Sequence, residues 1–131
     1  MPRLSVWSIR LSLIYLVCGW VIGALLMINR GVGFSAGLWQ LVDLHVALVL
    51  FGWTFQLVVG VAYRMLPKFG TDRGRPLAAW ASVVAINFGV LWVVLGLFVG
   101  WASPVVAAIS WLVATVCFGW HAWPRIKAFG R

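Results

Sequence analysis

LVDLHVALVLFGWTFQLVVGVAYRMLP, residues 41–67, decides how the rest of the chain is read. It is an apolar run long enough to cross a bilayer, with a few polar and glycine positions set into it. On a helix turning about 100° per residue, His45, Gly52, Gln56 and Tyr63 fall within about 20° of one line, whereas Asp43 and Thr54 fall on the opposite side. The four form one stripe. A flat cofactor has room there: the imidazole of His45 is a metal ligand, and Gly52, about 10 Å further along, lets a ring edge approach the backbone. Helix packing inside a bundle asks for the same residues, a small one to admit a neighbour and polar ones to bond across helices. Spacing alone leaves both readings open.

The whole chain has 131 residues, 64% of them hydrophobic and 9% charged, with a mean hydropathy of +1.05. Such a chain cannot cover itself with polar surface, and its apolar runs exceed the length of soluble core helices. We read an all-α, integral membrane four-helix bundle, one transmembrane domain over residues 1–131. Ten Trp and only two acidic residues fit that class, since Trp collects at membrane interfaces and carboxylates are excluded from hydrocarbon. A net charge of +8 would point to nucleic acid in a soluble protein. Here the basic residues sit at the ends of apolar runs, where orientation and anionic headgroups account for them, and nucleic acid is excluded as a partner. Cys18 and Cys117 each lie alone in an apolar run and read as small packing residues.

Spans are expected at about 11–28, 39–66, 77–99 and 104–123. A short basic lead, Met1 to Arg10, precedes the first, which reads as retained: its apolar run is long for a signal peptide, and residues 34–37 make a poor small-x-small cleavage site. Gly19 and Gly23 form a GxxxG pair that permits close helix contact. Residues 29–37 make a glycine-containing turn with one charge, Arg30. Pro67 closes the second span, and residues 68–76 form a basic connector. Asn87, mid-span in the third helix, reads as a bond between helices. Residues 101–104 make an uncharged turn, Pro124 ends the fourth span, and Arg125, Lys127 and Arg131 form a basic tail. Gly-Trp pairs recur at 19, 52, 100 and 119 without a common period, so no internal repeat is read.

With four spans, every one of the ten Lys and Arg residues except Arg30 falls on one side. That bias sets both termini in the cytoplasm and the chain in the inner (plasma) membrane as a multi-pass protein. His45 then lies near the outer surface and His121 near the inner end of the fourth helix, about 27 Å below that helix's outer end. The two histidines cannot share one metal within a subunit. His121, beside Trp120 and Trp123, reads as an interfacial residue.

The pattern His45-x6-Gly52-Trp53-x6-Gly60-x2-Tyr63-x3-Pro67 resembles a helix of membrane subunits in the haem-copper oxidase superfamily, particularly C-type oxidases, nitric oxide reductases and short stand-alone relatives. It covers about a fifth of the chain. The resemblance implies haem iron bound by histidine in the outer half of the bilayer, and so haem b on His45. Ala47 stands where several relatives carry a second His, and four helices with two histidines do not provide a copper centre. Gly52, Gln56 and Tyr63 join the candidate site through the stripe. Arg30 joins it as the outer-side cation available to a propionate, against the reading of a loop Arg held at the headgroups.

The expected function is electron transfer linked to quinol or a respiratory complex. A low-spin haem takes two axial ligands, and one subunit offers one histidine at this depth, so a parallel homodimer with haem at its interface is expected. Met27 is the rival ligand. Two other classes compete: a small transporter or channel, for which Asp43 is the sole candidate carboxylate, and a cofactor-free accessory subunit. No catalytic acid, base or nucleophile set is visible.

Overall fold

The computed structural model describes residues 2–67, 74–100 and 103–126. Four helices are long and apolar enough to cross a membrane: α1 (Arg3–Val32), α2 (Ala36–Met65), α3 (Pro76–Val99) and α4 (Pro104–Arg125). Among the described residues there is no strand, and the fold is all-α. The outward faces are apolar, with Val17, Trp20 and Met27 on α1, Phe88 and Leu91 on α3, and Val116 and Trp120 on α4 all exposed. Water penalises such a surface and hydrocarbon does not, so this is the build of a multi-pass membrane protein.

The helix boundaries follow from local chemistry. α1 stops at Gly33, whose φ of 68° is left-handed and whose N–H bonds Asn29 O at 2.7 Å. The buried Asn29 side chain also accepts from Ser35 N at 2.9 Å and holds the turn. α3 and α4 both begin with proline in the first turn, and Ser103 caps α4 by accepting from Val105 N at 3.3 Å. α1 begins at Arg3 rather than near residue 11, because Leu4, Ser5 and Ser8 are buried against the bundle and a helix there satisfies its own backbone. The middle of the expected connector (68–73), residues 101–102 and the tail beyond 126 lie outside the described residues.

α1 runs antiparallel along the length of α2, with His45 against Gly23, Tyr15 against Gly52 and Ser8 against Gly60. α3 and α4 pack along each other. They are tied where Ser110 Oγ donates to Ala85 O at 2.7 Å and Trp111 Nε1 donates to Ile86 O at 3.4 Å. α2 joins the two pairs through stacked rings, Phe51 on Trp111 at 3.7 Å and Tyr63 on His121 at 5.1 Å. Leu4, Val59, Tyr63, Ala79 and Ile86 form one core, and Leu44, Leu48 and Val90 a second.

The middle of α2 departs from the geometry assumed in reading its stripe. Ala47–Phe55 is a π-helix, and Thr54 Oγ1 donates to Val49 O at 2.9 Å, five residues back. Leu44, Leu48, Gly52, Gln56 and Gly60 are all buried, at steps of four residues. On an α-helix each such step drifts about 40°, so the last would point away from the first. The wider i→i+5 turn cancels that drift and keeps one face on α1 from end to end.

At the other end of α2 the chain is clasped. Arg125, fully buried, donates from Nε and Nη2 to Pro67 O (3.0 and 2.8 Å) and from Nη2 to Leu66 O (3.0 Å). These are carbonyls that the helix end leaves without intrahelical donors. Nη1 lies 2.8 Å from His121 Nε2, and His121 Nδ1 lies 2.9 Å from Arg75 O. Nδ1 faces a carbonyl and Nε2 a guanidinium, so the proton is on Nδ1 and Nε2 accepts. The expectation of a solvated basic tail at Arg125 and an interfacial His121 is replaced by a buried joint between α2, α4 and the start of α3. Arg125→Ala removes charge-assisted bonds worth about 1.5–3 kcal/mol each, and Arg125→Lys cannot rebuild the fork. Both variants are expected to lower the unfolding temperature in detergent, followed by circular dichroism, with Lys recovering less than half of the loss.

Candidate functional site

His45 lies in the N-terminal half of α2, two residues before the π segment, and points at α1. Its Nδ1 is 2.8 Å from Gly19 O. A carbonyl oxygen can only accept, so Nδ1 carries the proton and the ring's lone pair is on Nε2. The imidazole lies flat in the space left by Gly23: a Cβ there would sit 2.7 Å from Cε1. The GxxxG pair of α1 is thus used inside the subunit, one glycine lending a carbonyl and the other its empty side. His45 stays partly exposed between the two helices.

The remaining stripe residues line the same helix interface at different depths. Gly52 receives the Tyr15 ring, to which an added Cβ would come within 2.8–3.1 Å. Tyr15 OH donates to Asn87 Oδ1 at 2.6 Å, and Asn87 Nδ2 donates to Val83 O at 2.7 Å. Asn87 therefore bonds between helices, as its mid-span position suggested. Gln56 is fully buried one turn below Gly52, and neither atom of its amide has a hydrogen-bond partner among the described residues. The hydroxyls of Ser5, Ser8 and Ser82 share that condition. Tyr63 lies near the C-terminal end of α2, stacked on His121, on the order of 25 Å from His45 along the helix. The structure thus brings His45 together with Gly19 and Gly23, and Gly52 with Tyr15, but does not gather His45, Gln56 and Tyr63 at one point.

Arg30 is exposed in the last turn of α1. It stands seven residues beyond Gly23, so it falls on the same face of α1 about 10 Å further out, with the exposed Met27 between them. Among the described residues no three His, Cys, Asp or Glu side chains gather as a metal-binding group. A haem iron is held by four porphyrin nitrogens and takes one or two protein ligands, so it does not call for such a group.

Across α2 from His45, the N-terminal ends of α2 and α4 and the C-terminal end of α3 border a cleft of about 730 Å³. Asp43, Gln40 and Ala47 contribute from α2, Trp92 and Gly96 from α3, and Trp111 from α4. This cleft was not legible in the sequence, because Asp43 and the two indoles come from separate helices.

Comparison of the chain with protein-family models, with curated proteins and with solved structures returned no match. The resemblance of α2 to helices of the haem-copper oxidase superfamily therefore rests on its own residues.

Tyr15, the Gly19 carbonyl and Arg125 escaped sequence reasoning. A signal existed for one partner: Ser5, Ser8 and Ser12 recur at helical spacing on one face of α1, which marks it as the buried face. The Tyr15 contact makes a distinct prediction for Gly52. Gly52→Leu is expected to expel the ring, break the bond to Asn87 and destabilise the fold by about 1–3 kcal/mol. Tyr15→Phe, which keeps the ring, should cost only about 0.5–1.5 kcal/mol. Reversible unfolding in mixed micelles measures both.

Proposed function

We propose that this chain is an inner-membrane b-type haem protein, with His45 as an axial ligand, that works in electron transfer linked to quinol or a respiratory complex. One observation carries the reading, the contrast between the two histidines. His121 has both ring nitrogens engaged, Nδ1 with Arg75 O and Nε2 with Arg125. His45 has its Nδ1–H given to Gly19 O, and no hydrogen bond is recorded for Nε2 among the described residues. Iron-binding histidines are commonly oriented in this way, with the outer N–H donated to a carbonyl that fixes the tautomer and raises ligand basicity.

The other residues fall into supporting roles. Gly23 keeps the imidazole against α1 and Gly19 holds its plane. Arg30, on the same face of α1, is placed to neutralise a propionate that must leave hydrocarbon. Gly52 serves by admitting Tyr15, and Gln56 and Tyr63 extend the polar interior towards the cytoplasmic end. When bound, the haem supplies one-electron redox chemistry or, with one position open, gas binding.

The positive-inside bias places the termini, the α2–α3 connector and the Arg125 joint at the cytoplasmic face, which leaves His45 in the outer half. At that depth one subunit provides one imidazole. The second ligand comes from a parallel homodimer with the haem at its interface, where a two-fold axis along the membrane normal sets both His45 side chains at the same height. Met27 is the competing ligand from within the subunit.

A reduced-minus-oxidised optical spectrum of the purified protein tests the reading. A Soret band with sharp α and β bands is expected, lost in His45→Ala and retained in His121→Ala even where the latter is less stable. Absence of a Soret band from the parent chain, or loss in His121→Ala with retention in His45→Ala, would refute it. Stoichiometry tests the dimer: one haem per two chains supports a shared site, whereas one haem per monomer, with bands shifted by Met27→Leu, assigns the second position to Met27.

A further inference from the structure

The outer cleft lies on the side of α2 away from His45 and takes no part in the site proposed above. Its volume of about 730 Å³ falls within the range of small-molecule pockets. Its openness comes from small side chains, Ala47 on α2 and Gly96 on α3, where the helices would otherwise close. Its aromatic walls are held in place. Trp92 Nε1 donates to Ser103 O at 3.0 Å. Trp111 Nε1 donates to Ile86 O, and its ring stacks on Phe51 with planes 6° apart.

Those bonds use the donor of each indole on backbone carbonyls, and Phe51 covers one face of Trp111, so a guest meets the indole carbon surface that still lines the cleft. A π surface attracts cations. The charge at the cleft has the same preference. Asp43 is exposed there with no hydrogen bond or ion pair recorded among the described residues, and Gln40 beside it offers an amide oxygen. Among the described residues no Lys or Arg lines the cleft. The chain's other acid, Asp72, comes after Pro67 in the sequence. A carboxylate at the edge of hydrocarbon, beside two fixed indoles and without a basic neighbour in the lining, selects a guest that is positively charged and apolar in body.

We propose that the outer cleft between α2, α3 and α4 binds lipophilic organic cations, with Asp43 as the counter-charge and Trp92 and Trp111 as walls. The guest enters from the outer leaflet, its charge held at the depth of Asp43 and its apolar groups over Ala47 and Gly96. This site stands whether or not His45 binds haem.

Equilibrium binding of tetraphenylphosphonium to the full chain in lipid nanodiscs tests the proposal, with empty nanodiscs subtracted. Saturable binding of one cation per chain is expected. Asp43→Asn should weaken it about tenfold or more, which is about 1.4 kcal/mol, while Asp43→Glu stays within about threefold. Gly96→Leu should fill the cleft and abolish binding with Asp43 intact, circular dichroism reporting on its fold. Tetraphenylborate, of the same shape and opposite charge, should neither saturate nor compete. No saturable binding, equal affinity in the parent chain and Asp43→Asn, or competition by the borate would overturn the proposal.

Discussion

The close approach of α1 to α2 is the contact on which the rest of the structure depends. In hydrocarbon no hydrophobic drive pulls two helices together, so they associate through packing and the few polar bonds they can make. Here the contact is built from pairs of unequal size. Gly23 takes His45, Gly52 takes Tyr15 and Gly60 faces Ser8. Because a glycine of one helix faces a larger residue of the other at each pair, from α2 at Gly23 and from α1 at Gly52 and Gly60, the two backbones stay close, and each ring that enters a notch is fixed by a bond beyond it, His45 to Gly19 O and Tyr15 to Asn87. The second of these carries the pair onto α3.

Holding that contact over the full span requires α2 to depart from α-geometry. A face repeating every four residues rotates away from its neighbour on an α-helix, and the π segment at Ala47–Phe55 removes the rotation. π segments are rare and concentrate at functional sites. This one begins just past His45, so the local geometry that keeps Gly52 and Gln56 inward also sets the direction of the proposed ligand. Packing and ligand placement share one cause.

The polar groups of the bundle are distributed by depth. The end at the C-terminus of α2 is closed by Arg125 and His121, whose bonds cap α2, with His121 stacked on Tyr63. The middle holds the Tyr15 to Asn87 bond and the buried Gln56 amide. The opposite end is more open, with His45 partly exposed on one side of α2 and the Asp43 cleft on the other. The proposed ligand chemistry gathers where the bundle is loosest, while the Arg125 end works as a joint.

The sequence by itself determined the all-α class, four apolar helices of spanning length, and the stop of the second at Pro67, since hydropathy and backbone stereochemistry act locally. It also pointed to Gly52, Gln56 and Tyr63 as inward positions of α2, and all three are buried, although the stripe was drawn on an α-helix that residues 47–55 do not form. Tertiary structure decided what that stripe meets. Tyr15 over Gly52, the Gly19 carbonyl on His45, and Arg125 folded back onto Leu66 and Pro67 join residues from different helices or distant turns, and one-dimensional spacing carries no information on such partners. The register of the stripe was also settled only in three dimensions: whether residues 47–55 wind with i→i+4 or i→i+5 bonds depends on the gain from keeping contact with α1, a gain that the segment does not contain within itself.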